Sequence, residues 1–480
     1  MKVIQTLLLV LAYSALLSAC YDTDAWPTIH GDARNSDTTI ARGFTSLQPI
    51  WVRDFPGAIA AAATIDGEHQ IYVTTTGSAE TNACHLYAID QSSGEDLWCT
   101  AEVNRWAVGS SVLIDIEGNL FIGDDEAMHS FDRDGHLRWE TPTVGAAISA
   151  QFASDSHLIF ITHIGQVMVL TRGTGELVTP VYELLPEATY EPGAGLGDCL
   201  LGGPDCPSAN TLAMDLSTGR FYATLRPPAT SVTELRALQY DPKSRLITPV
   251  WTNDSLGGGT ASSPVISADG GRVYVNDNDG NYLALDAITG AEIWNANIGY
   301  SPAGSPSVST EGRGIPAGAG TSRLMAIQDL GSEGTISWSR DTVTHLGVAV
   351  QAAGDVLYAT VRQPGTFLGV DVLSVNARTG GEHDRQTLSP SPIATVGTSV
   401  AADGTVVVAG INGVVTALRE AADGAGAVER IFQTDRFADT SIEGVTVDAA
   451  ACILSVPDAD RDAHGTPQLS SLWDCITQNP

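Results

Sequence analysis

The feature that most constrains this chain is a short unit that recurs along most of its length. Residues 282–299 read YLALDAITGAEIWNANIG, residues 86–98 read LYAIDQSSGEDLW, and residues 128–139 read MHSFDRDGHLRW. In each unit an apolar run is followed by a turn that contains Gly, and then by a second run that ends on Trp. Asp starts such a turn and Gly supplies its positive φ, so each unit predicts an antiparallel hairpin.

Two further short strands precede each hairpin. Examples are ASSPVISADGG followed by RVYVND, and GSSVLIDIEGN followed by NLFIGD. Four short strands that recur at roughly forty to fifty residues are typical of the blades of a β-propeller. We therefore predict an all-β fold in which the Trp of each fourth strand packs between adjacent blades.

The two ends of the chain predict how the ring closes. Residues 47–55, LQPIWVRDF, have the pattern of a fourth strand but no blade precedes them. The C-terminal unit, from EGVTVDAAACILSV to PQLSSLWDC, supplies strands without a clear fourth one. We expect the N-terminal strand to complete the last blade.

The LALDAITGAEIW unit resembles the pyrroloquinoline-quinone (PQQ) type of propeller repeat, from about residue 45 to residue 480. AWPTIHGDARNSDTT, residues 25–39, resembles the lead-in of such chains. The family usually has eight blades, and we predict eight with nine as the alternative. Nine first strands begin near Ala58, Val108, Ile148, Asn210, Thr260, Gly304, Gly347, Gly397 and Glu443.

The resemblance implies one of two functions. Quinoprotein dehydrogenases hold PQQ and Ca²⁺ in the central channel, whereas scaffolds include the lipoprotein subunit of the outer-membrane barrel assembly machinery. Alcohol-oxidising quinoproteins typically carry a disulfide between adjacent cysteines, and this sequence has no Cys-Cys pair. The Ca²⁺ ligands and the Asp base of that class cannot be assigned to any stretch. The repeat by itself predicts a fold and not a function.

The N-terminus has the layout of an export signal. Val3 to Leu17 is an apolar run too short for a comfortable membrane span, and it is followed by Ser18-Ala19-Cys20. This ending resembles the bacterial lipobox, which implies acylation of Cys20 and a lipid anchor. An ordinary signal peptide is the alternative. We predict a signal peptide over residues 1–19, a lead-in over 20–44 and one propeller domain over 45–480.

The six remaining cysteines fall into three pairs that are close in sequence, as expected in an oxidising periplasm. The predicted disulfides are Cys84–Cys99, Cys199–Cys206 and Cys452–Cys475. The first would bridge a hairpin whose register also places Leu86 opposite Leu97. The second would close part of the long segment 183–210, which interrupts the repeat and predicts an ordered protrusion over one face.

A metal site is predicted only weakly by the sequence. Asp458, Asp460 and Asp462 alternate as in the start of an EF-hand loop, but the Gly comes late and the closing Glu is absent. A solvated hairpin loop is the alternative. Nucleophile motifs of the G-x-S-x-G type and zinc motifs of the H-E-x-x-H type are absent from the sequence.

Net charge completes the functional interpretation. The sequence carries 56 acidic and 24 basic side chains, a formal charge of −32, which disfavours binding to nucleic acid. We predict a lipid-anchored propeller on the periplasmic face of the outer membrane of a Gram-negative bacterium. It would act as a scaffold for periplasmic or outer-membrane proteins, with no cofactor favoured. The alternative is a PQQ- and Ca²⁺-dependent oxidoreductase acting on an alcohol or a polymer.

Overall fold

The computed structural model describes most of the chain from residue 48 onward. The segments outside the described residues are 1–47, 56–62, 67, 69, 76–82, 186–189, 200–204, 228–231, 261, 303, 310, 317, 319–321, 342, 344, 351–355, 364–368, 389–394, 401–404, 411–414, 421–427, 434–445, 449–452, 462–466 and 474–480. Within the described part the fold is almost entirely β. Its helices are a 3₁₀ turn (Arg105–Gly109) and one α-helical turn, α1 (Leu196–Cys199). Neither of these helices has the length and hydropathy of a membrane span.

The first four blades follow an N-terminal strand, β1 (Gln48–Asp54). Blade 1 contains β2 (Thr64–Ile65), β3 (Gln70–Thr74), β4 (Leu86–Asp90) and β5 (Asp96–Thr100). Blade 2 contains β6 (Leu113–Ile114), β7 (Leu120–Gly123), β8 (Ala127–Phe131) and β9 (Leu137–Pro142). Blade 3 contains β10 (Ala147–Ser154), β11 (His157–Thr162), β12 (Gln166–Thr171) and β13 (Tyr182–Glu183). Blade 4 contains β14 (Ala213–Asp215), β15 (Arg220–Leu225), β16 (Thr233–Asp241) and β17 (Leu246–Leu256).

The remaining blades repeat the same order. Blade 5 contains β18 (Val265–Ile266), β19 (Arg272–Asn276), β20 (Asn281–Asp286) and β21 (Glu292–Asn297). Blade 6 contains β22 (Ser307–Val308), β23 (Arg313–Ile315), β24 (Leu324–Asp329) and β25 (Gly334–Arg340). Blade 7 contains β26 (His345–Val350), β27 (Val356–Arg362), β28 (Val370–Asn376) and β29 (Glu382–Thr387). Blade 8 contains β30 (Thr395–Val400), β31 (Val406–Gly410), β32 (Val415–Glu420) and β33 (Val428–Gln433), and the last sheet contains β34 (Thr446–Asp448), β35 (Ile453–Arg461) and β36 (Pro467–Trp473).

The described strands form nine four-stranded antiparallel sheets, so the all-β propeller prediction is confirmed. The number of sheets is nine, which was the alternative, and not the expected eight. Blades 3 and 4 look irregular in sequence because blade 3 has a two-residue fourth strand and a long segment follows it. Each nevertheless forms a complete sheet.

The ring closes as the ends of the sequence predict. Strand β1 pairs with β36, which makes it the fourth strand of the last blade, and β34 lies against β2 of blade 1. A bulge leaves Ile50 unpaired just before Trp51, which lies opposite Ser471. Other fourth strands have the same arrangement, since a bulge at Ile293 precedes Trp294. Strand β1 therefore has the register of a fourth strand as well as its sequence.

The Trp side chains of the fourth strands fill the seams between neighbouring blades. The indole Nε1 of Trp98 in blade 1 donates to the carbonyl of Arg133 in blade 2 at 2.7 Å. The same bond joins Trp139 to the carbonyl of Arg172 in blade 3 at 3.0 Å. Both rings pack among buried side chains of the two blades that they join. The predicted role of Trp is thus confirmed.

Each fourth-strand Trp whose side chain the structure describes faces a glycine on the neighbouring blade. Gly290, in the turn between β20 and β21, has a φ of +72°, and a Cβ there would lie 2.4 Å from Cδ2 of Trp251. The carboxylate of Asp286 accepts the amides of Ile288 (3.0 Å) and Thr289 (2.7 Å) and so fixes the same turn. The glycine therefore meets two demands at once, a left-handed backbone and space for the indole.

One detail of the first predicted disulfide is wrong. The bridge Cys84–Cys99 forms, with the Cα atoms 5.7 Å apart. However, Leu86 lies opposite Thr100, and a bulge between Ala88 and Ile89 leaves Leu97 unpaired and 46% exposed. The prediction placed the two cysteines directly opposite each other, whereas Cys99 lies opposite Tyr87, so the ladder at Leu86 is displaced by three residues from the predicted register.

Candidate functional site: a capped face over blades 2 and 3

The longest interruption of the repeat folds back over one end of the sheets. It joins β13 to β14, and we call its described residues 190–199 and 205–210 the capping loop. The disulfide Cys199–Cys206 forms as predicted and ties the two parts of the loop, with the Cα atoms 5.0 Å apart. In an up-and-down blade, the turn after the second strand lies at the same end as the connection that leaves the fourth strand. The capping loop therefore meets the second-to-third-strand turns of blades 2 and 3.

Blade 2 holds the capping loop through a buried carboxylate. Asp125 follows β7 and is 2% exposed. It accepts a hydrogen bond from Nδ2 of Asn104 at 2.6 Å and one from the hydroxyl of Tyr190 at 3.0 Å. The Tyr190 oxygen in turn accepts the amide of Gly193 at 2.9 Å. Burial, with a further contribution from the Asp125 charge, raises the pKa of Tyr190, so the hydroxyl stays protonated and remains a donor.

Blade 3 holds the loop through a histidine. His163 follows β11 and is completely buried. Its Nδ1 accepts the amide of Ala146 at 2.9 Å, and its Nε2 lies 3.0 Å from the carbonyl of Ala194 in the capping loop. The carbonyl of His163 also accepts the amide of Ser208 at 3.0 Å. One residue of the propeller therefore contacts both halves of the capping loop.

The 3₁₀ turn between blades 1 and 2 lies beneath the loop. Trp106 is placed by Asn104, whose Oδ1 accepts the Trp106 amide at 2.8 Å. A Cβ on Gly193, where φ is +81°, would lie 3.3 Å from the indole Nε1 of Trp106. The rings of His163 and Tyr190 also pack edge to face, with 5.0 Å between the ring centroids. The loop thus rests on aromatic rings as well as on hydrogen bonds.

A second buried carboxylate supports the turn that carries Asp125. Asp124 accepts the amides of Glu126 (2.9 Å) and Asn104 (2.9 Å), and it lies 3.1 Å from Nε2 of the buried His129. Burial raises the pKa of Asp124, but the hydrogen bond and charge of His129 and the backbone amides outweigh it and lower the pKa below its ordinary value. Asp124 therefore stays ionised and fixes the turn under the capping loop.

The equivalent position of blade 5 is built in the same way. Asp277 is 1% exposed and accepts the amides of Gly257 (3.1 Å) and Asn281 (2.8 Å). It joins the turn between β19 and β20 to the connection that enters the blade. NDNDGN, residues 276–281, is thus a structural turn.

These carboxylates do not fit the calcium ion that accompanies PQQ in quinoproteins. A Ca²⁺ site needs six to eight oxygen ligands, several of them carboxylate oxygens that are free to turn to the ion. The oxygens of Asp124 and Asp277 each accept several hydrogen bonds from the protein, and Asp125 accepts two. In the part of this face that the structure describes, buried carboxylates serve the fold.

The other predicted site residues are distributed along the chain. Asp458 and Asp460 lie on β35, and Asp462, Cys452, Cys475 and Cys20 lie outside the described residues. The weak calcium prediction, the third disulfide and the lipid anchor therefore stay predictions. Sequence reasoning identified segment 183–210 but missed its anchors Asp125 and His163. Both lie in the turn after a second strand, but the contacts that they make are distant in sequence, so the sequence carries no local signal for them.

An exposed acidic group lies at the other end of blade 2. Asp132, Asp134 and His136 come within reach of one another in the turn between β8 and β9. The ring of His136 and its amide both bond to Asp132, at 3.0 Å and 2.8 Å. The group is accounted for by its role as a hairpin turn.

Comparison with known proteins gives the family. The Protein Rv3035 of Mycobacterium tuberculosis (strain ATCC 25618 / H37Rv) is 29% identical over 344 residues, which are 71% of this chain and 82% of that protein. The outer membrane protein assembly factor BamB of Yersinia pestis is 23% identical over 230 residues, 44% of this chain and about half (52%) of that protein. The crystal structure of quinohemoprotein alcohol dehydrogenase from Comamonas testosteroni has a TM-score of 0.58 at 12% identity. It covers 96% of this chain and 82% of that one, a likeness that concerns the fold only.

The sequence model of one family matches most of the repeat. That family is described as outer membrane protein assembly factor BamB, and its matches cover residues 45–224 and 82–373. The PQQ-type repeat predicted from the LALDAITGAEIW units is thereby confirmed. Because the two matches together extend over well more than half of the 480 residues, the chain belongs to the PQQ-type propeller family described as outer membrane protein assembly factor BamB.

Proposed function

We propose that this protein is a lipid-anchored periplasmic scaffold that binds a protein partner of outer-membrane assembly. The capped face is the proposed contact surface. The observation that carries this proposal is the construction of the capping loop, which is closed by a disulfide and bonded to buried residues of two blades. An ordered protrusion on a rigid ring offers a partner a surface that needs little rearrangement on binding. Membership of the family supports an assembly partner.

The proposed anchor is the thiol of Cys20. Replacing Cys20 with Ala should move the protein from the membrane fraction to the soluble periplasmic fraction. Ser18→Ala is the matched control, because it keeps a small residue in the same motif and should leave the protein in the membrane. Mass spectrometry of the N-terminal peptide gives an independent result. A Cys20→Ala variant that fractionates like the parent, with no acyl mass on the parent peptide, would contradict the anchor.

The quinoprotein alternative makes a different prediction. Purified protein incubated with PQQ and Ca²⁺ would then develop quinone absorbance that survives gel filtration, and it would oxidise alcohols or polymers in a dye-linked assay. The scaffold proposal predicts that quinone elutes separately and that dye reduction equals that of a heat-denatured control. Turnover above that control would overturn the scaffold as the primary function, whatever the result for the anchor.

A further inference from the structure

The protonation state of His163 is fixed by its two hydrogen bonds. The amide of Ala146 donates to Nδ1, so this nitrogen carries a lone pair and no proton. The proton of the neutral ring is therefore on Nε2, where it is donated to the carbonyl of Ala194 in the capping loop. Both bonds exist together only while the imidazole is neutral.

A second proton would break this arrangement. It would bind at Nδ1 and face the amide hydrogen of Ala146, so one bond would be lost and two donors would oppose each other. The positive charge would also lie in a completely buried site. The same residue contacts the loop at Ala194 and at Ser208, so both halves of the loop depend on its position.

The charged and titratable groups around His163 come from two other elements. Asp125 of blade 2 favours the imidazolium, but its oxygens are already bonded to Asn104 and Tyr190. Tyr190 of the capping loop stays protonated and is bonded to Asp125 and Gly193. Because burial outweighs the bond to Ala194 and the charge of Asp125, the pKa of His163 lies below its ordinary value.

We propose that His163 is a pH-sensitive latch that holds the capping loop on the propeller while its imidazole is neutral and releases the loop when the imidazole is protonated. Acidification would then expose the surface around Trp106 and Asp125, and the accessible part of the capped face would depend on the pH of the compartment. This proposal concerns only the docking of the capping loop, and it does not depend on whether the capped face binds an assembly partner.

The sign of the effect follows from linkage. A histidine that is held neutral in the docked state stabilises docking fully above its ordinary pKa of about 6.5. Below that value the opening equilibrium of the loop should rise by up to about tenfold for each pH unit, until the docked histidine itself titrates.

The experiment is hydrogen exchange on the full mature chain with its disulfides intact, between pH 7.5 and pH 5.0. Rates are divided by the intrinsic rate at each pH to give protection factors, which removes the pH dependence of the chemistry. The test peptide covers residues 190–199 and the reference peptide covers residues 272–286 in blade 5. His163→Gln removes the titrating group, and Tyr190→Phe removes the bond to Asp125 while keeping His163. His136→Gln, at an exposed histidine, is the matched control.

The latch predicts four results. In the parent and in His136→Gln, loop protection falls between pH 7.5 and pH 5.0, by up to about thirtyfold, while the reference peptide is unchanged. In His163→Gln the loop protection does not depend on pH, whatever its absolute level. In Tyr190→Phe it is lower at every pH with the same slope as the parent. A pH-independent parent, or a His163→Gln variant that keeps the parental slope, would overturn the proposal.

Discussion

Two neighbouring seams of the propeller are built on different principles. Between blades 4 and 5, the Trp251 indole lies on Gly290 and donates to the carbonyl of Ala287 at 3.2 Å. Between blades 3 and 4, the short strand β13 carries no Trp. In the turn between β16 and β17 of blade 4, which faces this seam, the position equivalent to Gly290 is occupied by Arg245, at a φ of +57°. The two turns otherwise match. The amide of Gly290 donates to the backbone carbonyl of Asp286 at 2.8 Å, and the amide of Arg245 donates to the backbone carbonyl of Asp241 at 2.8 Å.

The comparison shows that the Trp and the glycine are one structural unit split between two blades. Where the Trp is absent, the facing residue no longer needs to be small, and a long side chain is tolerated even in a left-handed turn. Among the described residues with positive φ, Arg245 is the exception to glycine. The seam between blades 3 and 4 instead contains an apolar cluster of side chains from both blades. Two polar contacts also cross it. The Tyr240 hydroxyl bonds to Nδ1 of His157 at 2.6 Å, and the guanidinium of Arg236 donates to the carbonyl of Leu184 at 2.9 Å.

The largest effect is expected at the closing seam, which has the Trp signature in β1. Deleting residues 48–54 removes the fourth strand of the last blade and exposes the edge of β36. We expect a loss of more than about 5 kcal/mol in the free energy of unfolding, or loss of a cooperative transition. Thermal and denaturant melts measure it. A truncation of residues 21–47 that keeps β1 is the control, and equal melts for the two truncations would contradict the clasp.

The next effect compares a Trp of the seam between blades 2 and 3, Trp139, with the aromatic residue of the seam between blades 3 and 4, Tyr182. Trp139→Ala should reduce the free energy of unfolding by about 3–5 kcal/mol, because the indole is 8% exposed and its space cannot be refilled. Tyr182→Ala, on the short fourth strand of blade 3, should lose only about 1–2 kcal/mol, since its ring is half-buried. Urea melts of both variants give the ranking. Equal losses would show that the seams do not differ in kind.

A third test places the same residue at matched turn positions. Gly290→Ala should lose about 2–4 kcal/mol, because it adds left-handed strain and a Cβ that collides with Trp251. Arg245→Ala should change stability by less than about 0.5 kcal/mol, since the strain is already present and no indole faces it. Both values come from chemical denaturation under one set of conditions. If Gly290→Ala lost no more stability than Arg245→Ala, the facing Trp would not be the reason why this position is glycine.

The smallest effect concerns single hydroxyl groups. Tyr240→Phe should lose about 1 kcal/mol, because its bond to His157 is a main polar link between blades 3 and 4. Tyr222→Phe should lose about half of that. The Ala287 carbonyl that Tyr222 binds keeps two other donors, Arg220 at 2.9 Å and Trp251 at 3.2 Å. Denaturant melts at pH 8, where His157 is neutral, give the free energy of unfolding of both variants. A larger loss for Tyr222→Phe than for Tyr240→Phe would contradict the claim that the seam between blades 3 and 4 depends more on its hydroxyl bond.

These seams also explain which parts of the structure the sequence could predict. The hairpin, the Trp and the closing strand are visible because they depend on residues close in sequence, and Gly290 and Trp294 recur four residues apart as in other units. The register of Leu86 was not predictable in this way, since a disulfide joins residues that need not lie directly opposite each other, and Cys99 pairs with Tyr87 in the ladder. Blade number was obscured by β13, which has only two residues.

The capped face shows the other limit. Segment 183–210 could be identified as a break in the repeat, and its disulfide followed from the spacing of its cysteines. Its anchors could not, because Tyr190 meets Asp125 across 65 residues and Ala194 meets His163 across 31. Such contacts are set by which blades become neighbours in the closed ring, and no local pattern reports them.

The central claim is that the capped face is a partner-binding surface, and site-specific photo-cross-linking in the native envelope tests it most directly. A photoreactive residue at Glu191, exposed on the capping loop, is compared with one at Ile288, which is 68% exposed at the opposite end of the sheets. We predict a discrete adduct with a protein of outer-membrane assembly from position 191 and none from position 288. No adduct at 191, or the same adduct from both positions, would contradict the account.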